Sequence, residues 1–297
     1  AILARTPGLS EIADVVPIDY GLVPASHFRF PQLFDIAGRV RAALADPGTD
    51  GAVIVQGTDT IEETAFFYDV VIAGDKPVVV TGAMRASHEA GYDGPANLRD
   101  AVRAAADPGL RGAGCVVVLG GTIEPADDVT KTHTTAFTTF RSLNTGRLGR
   151  VGDGVVTLER PRGARRHVAG AGRAASRVHV VVAGVGTDGS LLDAAVAAGA
   201  DGLVVAATGA GNTAPGLLDA ATRAMAQGVP VVLASRCPSG AVGTAYAFPG
   251  GGATWVRAGA IPAGSLCAVK ARVALALGVG AGLDRDGLTA LLADPLP

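Results

Sequence analysis

The sequence predicts a two-domain α/β protein: a larger N-terminal domain on a mostly parallel sheet flanked by helices, and a smaller C-terminal domain on its own parallel sheet. Three observations carry this. Short β-branched runs alternate with Ala/Leu-rich helical stretches, the pattern of βαβ units with right-handed crossovers. Aromatic residues are only 4% of the chain while Gly and Ala abound, so the core is built from Val, Leu, Ile and Ala, as in parallel strands covered on both faces. A length of 297 residues exceeds one average domain and suits two.

The elements follow in order. A strand over 51–55 leads to a helix from about Thr60, and one over 77–81 to a helix from Gly94. The run Val116 to Leu119 reads as a buried strand that turns on Gly120-Gly121 and presents Thr122. Further on, 178–183 precedes a helix from Ser190, 202–206 one from Pro215, 231–234 ends in a turn, and a last helix starts near Asp286. Between about Val156 and Arg177 the alternation lapses into Arg, Gly and Ala. The expected division is an N-terminal catalytic domain over 1–158, a linker over 159–177 and a C-terminal domain over 178–297. The basic cluster RPRGARR at 160–166 is expected to be a solvated part of the linker.

Composition excludes several classes. A net charge of −2 gives no electrostatic case for a nucleic-acid partner. Cys115, Cys237 and Cys267 are far apart, without metal-ligand or disulfide spacing, so neither a disulfide framework nor a zinc site is expected. Cys115 and Cys267 read as core thiols. No apolar run reaches the roughly 20 residues of a membrane span, and no signal peptide is visible. Free cysteines favour a cytoplasmic protein.

In parallel sheets ligands sit beyond the carboxyl ends of the strands, so the turns there are where chemistry is sought. The first is Gln56-Gly57-Thr58-Asp59-Thr60, where Gly57 lets the chain turn tightly after a strand. Thr60 can cap the following helix, with Glu63 completing a capping box, which leaves Thr58 and Asp59 free for chemistry. The other reading is a plain N-cap favoured by the acidic pair Glu62-Glu63. The second is Asp128-Val-Thr-Lys131. The chain has three lysines, Lys76, Lys131 and Lys270, and its other basic residues are arginine. An ammonium can give up its proton where a guanidinium cannot, so Lys131 beside a threonine hydroxyl could serve as its base. Alternatively it is a surface lysine in a polar loop. His133 reads as a hydrogen-bonded structural residue, and Thr122 as a turn residue. The third is Gly82-Ala83-Met84-Arg85, whose backbone could line a pocket, followed by Asp93 as cap of the helix at Gly94-Pro95.

Together GTDTIEETAFF (57–67), DKPVVVTGAMR (75–85), DGPANL (93–98), DVTKTHTT (128–135), SRCPSG (235–240) and KARVALAL (270–277) resemble the bacterial-type L-asparaginase family (asparaginase/glutaminase). The resemblance runs from about residue 7 onward. It implies an amidohydrolase converting L-asparagine to L-aspartate and ammonia through a threonine-nucleophile acyl-enzyme, with L-glutamine as a side substrate. It makes Thr58, Asp59 and Lys131 the catalytic constellation, with Asp59 also holding the substrate's α-ammonium. Ser26, Gly57 and Ala83 would line the substrate, and Asn212 would reach across from a neighbouring subunit. It further implies a homotetramer, a dimer of dimers, and no cofactor.

Two departures matter. The family carries its acylated threonine in a TGGTIA-like turn near the amino terminus; the only GGTI here, at 120–123, lies after the GTDT motif. Thr6 precedes Pro7 and lacks a glycine turn. The nucleophile segment is therefore expected to be missing from residues 1–297, which alone are expected to be impaired. Ala25 stands where relatives often have a carboxylate-binding serine, and Ser26 is expected to stand in for it. Two other functions remain open: a non-catalytic amino-acid-binding homologue, and an amidotransferase subunit acting on charged tRNA. The near-neutral charge argues against the second.

Overall fold

A computed structural model describes residues 2–294, which form two compact units, 2–167 and 168–294. The first holds a mixed six-stranded sheet in the order β1-β2-β3-β4-β7-β8. Strands β1 (Ala52–Val55), β2 (Val78–Thr81) and β3 (Cys115–Leu119) pair in parallel. They are joined through α2 (Ile61–Val71) and α3 (Gly94–Ala106), while α1 (Phe30–Leu44) precedes β1. Every residue of β2 and β3 is buried, which explains their unbroken apolar runs.

Gly120 and Gly121, with φ of 61° and 76°, reverse the chain after β3 into the antiparallel β4 (Thr122–Pro125). Two successive positive φ values define the hairpin turn whose twist matches its strands, and glycine adopts them without steric penalty. Thr122 begins β4 and its hydroxyl donates to Leu119 O at 3.2 Å, a turn residue as expected. Antiparallel strands β7 (Gly149–Gly152) and β8 (Val155–Leu158) complete the sheet, and β5 (Val129–Lys131) pairs with β6 (Phe140–Ser142) as a separate ribbon with Lys131 opposite Phe140.

Helix α2 is the most deeply placed: Ile61, Ala65, Phe66, Phe67 and Tyr68 are fully buried. Phe34 meets Phe67 edge-on at 4.9 Å. Burying each such side chain stabilises by about 1.5–3 kcal/mol, so the helix that begins beside Thr58 is firmly seated.

Three local expectations are corrected here. Thr60 is the N-cap residue of α2 but makes no side-chain cap bond; its hydroxyl donates to Ala25 O at 3.1 Å, so there is no capping box. Asp93 does not cap α3 with its carboxylate, which accepts the Met84 and Arg85 amides at 3.0 Å each. The basic cluster is not solvated. Arg162 pairs with Asp69 at 2.9 Å and also with Asp127, Arg165 pairs with Asp69 at 2.9 Å, and the Arg162, Arg166 and Asp69 side chains are 8%, 5% and 2% exposed. An isolated buried carboxylate would be expelled; these guanidiniums compensate it.

The second unit is a four-stranded parallel sheet in the order β12-β11-β10-β9. It runs β9 (Val178–Val182), α4 (Ser190–Ala197), β10 (Gly202–Ala207), α5 (Pro215–Ala226), β11 (Val231–Ser235), α6 (Gly252–Ala258), β12 (Ile261–Pro262), α7 (Ala268–Gly280) and α8 (Arg285–Leu292). Trp255 is fully buried in its core and donates Nε1–H to Thr213 Oγ1 at 3.0 Å. Helix α7 is buried nearly all round against β9, β10 and β11, as its lack of a polar face requires. Among the described residues no helix is long and apolar enough to cross a membrane.

Candidate active site

Two chain reversals build the site in the first unit. After β1, Gly57 leads into a single 3₁₀ turn, Thr58–Thr60, that runs directly into α2. The last residue of β5 is Lys131. Its Nζ donates to Thr58 Oγ1 at 3.0 Å and to Asp59 Oδ1 at 2.9 Å, so the three residues singled out in the sequence do meet. Burial differs among them in a useful way. Thr58 is 9% exposed and the Lys131 side chain 14%, whereas Asp59 is 72% exposed, so a carboxylate faces solvent above a sheltered hydroxyl–ammonium pair. A hydroxyl within reach of a lysine is the arrangement of an activated nucleophile or of a proton relay to water. The open carboxylate can receive a cation.

Lys131 is held from two sides. Its backbone N–H donates to Glu62 Oε2 at 3.3 Å, tying β5 to the first turn of α2. Asp128, just ahead of β5, accepts from the backbone and side chains of both Asn144 and Thr145, at 2.6 to 3.2 Å. Glu62 was read in the sequence only as a favourable charge at a helix start. Its tie to Lys131 spans 69 positions and leaves no local signal.

The third segment closes against the first. A Cβ on Gly82 would lie 2.4 Å from Gln56 O and 3.2 Å from Thr58 Cγ2, so only glycine fits there without a backbone shift. Ala83 follows, half-buried, and Asp93 pins the next two amides. Arg85 stacks 4.7 Å above the Phe137 ring. Ser26 is exposed on the 3₁₀ turn Ala25–His27. That turn is bound to the Thr58–Thr60 turn by the Thr60–Ala25 hydrogen bond, and the Ala25 methyl lies 3.1 Å from where a Cβ on Gly57 would be. Asn212 belongs to the second unit, on the loop after β10, and its side-chain oxygen is buried with no hydrogen-bond partner among the described residues.

Other candidates have structural roles. His133 Nδ1 accepts the Thr135 and Ala136 amides at 3.0 and 3.1 Å, as expected of a structural histidine. Thr6 is buried and its hydroxyl donates to Ile2 O. Burial, and then the Asp69 carboxylate, push the Cys115 thiol well above its ordinary range, which leaves it inert. Cys267 is only half-buried, short of a core thiol, and Cys237 is exposed. No group of three or more His, Cys, Asp or Glu among the described residues is placed to hold a metal ion.

A two-domain α/β chain with a threonine hydroxyl, a lysine and a solvent-facing aspartate gathered beyond its parallel strands has the equipment of an amidohydrolase. Residues 1–163 match the family described as "Asparaginase, N-terminal" and residues 177–292 the "Glutaminase/Asparaginase C-terminal domain". The chain belongs to the asparaginase family. It is 41% identical over 290 residues to the "Probable L-asparaginase" of Deinococcus radiodurans, covering 95% of this chain and 86% of that protein. Identity to the "L-asparaginase" of Bacillus licheniformis is 34% over 255 residues, 86% of this chain and 79% of the relative. To the "L-asparaginase 2" of Bacillus subtilis it is 36% over 248 residues, 82% and 66%.

Proposed function

We propose that the native protein hydrolyses L-asparagine to L-aspartate and ammonia, with L-glutamine as a weaker substrate. The observation that supports it best is Lys131 Nζ shared between the Thr58 hydroxyl and the Asp59 carboxylate. The names of the relatives agree with this reading. In it, Asp59 binds the substrate's α-ammonium, while the Ser26 hydroxyl and the Gly57 amide receive the α-carboxylate and Ala83 borders the side-chain amide. The substrate ammonium then shares the Asp59 carboxylate with Lys131. A threonine hydroxyl attacks the amide carbon, its proton passes to the departing nitrogen, and ammonia leaves an acyl-enzyme. Water gives a proton to the Thr58–Lys131 pair as it attacks the acyl carbon. That proton returns to the freed threonine oxygen as L-aspartate forms.

Ammonia release by the native protein from the two amides tests this. A pocket fitted to the shorter side chain discriminates against one extra methylene, so kcat/KM for L-asparagine is expected to exceed that for L-glutamine by about 10- to 200-fold. Release from neither amide contradicts the reading. L-Aspartate binding without release would make the protein an amino-acid-binding homologue instead.

We further propose a homotetramer in which Asn212 completes a neighbouring copy's site. Its place on the loop that follows β10, with the residue part-exposed, supports this. Light scattering is expected to read four chains per particle, and a monomer at assay concentration contradicts it. The cytoplasm is the proposed compartment, supported by cysteines whose spacing shows no disulfide framework, and the net charge of −2 supports the absence of a nucleic-acid partner. Recovery in the periplasmic fraction, where the name of a Haemophilus influenzae relative ("Probable L-asparaginase periplasmic") puts that protein, would overturn the placement.

A further inference from the structure

Asn97, in the first turn of α3, is 3% exposed. Its Nδ2 donates to Gly82 O at 2.9 Å and to Asp93 Oδ2 at 2.8 Å, and its Oδ1 accepts the Gly120 N–H at 3.1 Å. The carboxamide thus joins the turn after β2, the turn after β3 and the carboxylate that pins Met84 and Arg85. Only a group that donates and accepts in one plane can make all three bonds, and among short side chains that is asparagine. The Thr58 methyl in turn borders the Gly82 backbone: Thr58 Cγ2 lies 3.2 Å from where a Cβ on Gly82 would stand. Threonine carries its methyl and its hydroxyl on the same carbon in staggered positions. Fixing where the methyl goes therefore fixes where the hydroxyl goes.

We propose that Asn97 is a positioning residue: by holding the Gly82 backbone against the Thr58 methyl, it turns the Thr58 hydroxyl toward Lys131. Without the carboxamide the Gly82 carbonyl loses its donor, the turn relaxes, and Thr58 can exchange its methyl and hydroxyl. Asp59, carried outward on the 3₁₀ turn, is not touched by this chain of contacts. The kinetic part of the inference rests on the asparagine-hydrolysing reading; the structural part does not.

The test compares the native protein with Asn97→Leu, similar in volume but without polar atoms, and Asn97→Asp, which keeps the acceptor for Gly120 and loses the donor to Gly82. Misplacing a reacting group by about an ångström lowers turnover by up to about 100-fold. The expected result is kcat for L-asparagine reduced about 10- to 100-fold with KM within about threefold, at a temperature where thermal unfolding shows the variants folded. A crystal structure of either variant is expected to show Thr58 Oγ1 beyond hydrogen-bond reach of Lys131 Nζ. Unchanged kcat beside a lowered melting temperature would make Asn97 merely structural and overturn the proposal. So would a variant structure that keeps the 3.0 Å Thr58–Lys131 contact. If the native protein itself releases no ammonia, the proposed activity fails, and the crystallographic distance alone decides for or against Asn97. Should Asn97→Leu not fold, Asn97→Asp supplies both readouts.

Discussion

Lys131→Met is expected to lower kcat for L-asparagine by about 10²- to 10⁴-fold, the range that one positioned proton-transfer group contributes. Methionine keeps the length and apolar stem of lysine and removes the ammonium that bonds Thr58 at 3.0 Å and Asp59 at 2.9 Å. Of the two lost contacts, the pairing with Asp59 adds little stability, because Asp59 is 72% exposed and water screens it, and the contact with Thr58 is one hydrogen bond. The denaturation midpoint should therefore move little while turnover collapses. Stopped assays for ammonia, run beside urea titrations, read both quantities. A variant retaining more than a tenth of native kcat would remove Lys131 from the chemistry.

The opposite dissociation is expected at Asp69. Its carboxylate accepts from Arg162, Arg165 and the Cys115 amide, each at 2.9 Å. Burial pushes this carboxyl above its ordinary range, against the pull of Arg162 and then Arg165. Asp69→Ala takes the shared carboxylate from both guanidiniums, leaving Arg162 with Asp127 and Arg165 with the Asp69 and Ile72 carbonyls, and strands the Cys115 N–H. Removing one member of a buried ion pair costs about 3–5 kcal/mol. The urea midpoint should fall accordingly with little change in slope. Asp69 sits near the far end of α2 from Thr58, so the protein that remains folded should keep near-native kcat. A loss under about 1 kcal/mol would mean the cluster holds no net stability.

The parallel strands could be read from the sequence because β-branched runs such as Val78–Thr81 and Cys115–Leu119 are buried on both faces and so carry a continuous signal. Thr58, Asp59 and Lys131 could be read because polar residues sit where strands end, and one of three lysines among many arginines stands out. Strands β5 to β8 could not: they are three or four residues long, and their partners lie across turns that periodicity does not reach. The same limit explains the misread polar groups. Thr60 looks like a cap until Ala25, 35 positions away, takes its hydroxyl, and Arg162 looks solvated until Asp69, 93 positions away, takes its guanidinium. Asn97 lies within a quoted motif, yet the two backbone groups it joins are 15 and 23 positions from it.

The most direct test of the site is a crystal structure of the native protein soaked with L-aspartate, the proposed product. The α-ammonium is predicted to lie on the Asp59 carboxylate, with the side-chain carboxylate within hydrogen-bond reach of the Thr58 hydroxyl. L-Aspartate bound away from Thr58, Asp59 and Lys131, or with its ammonium turned from Asp59, would contradict the assignment.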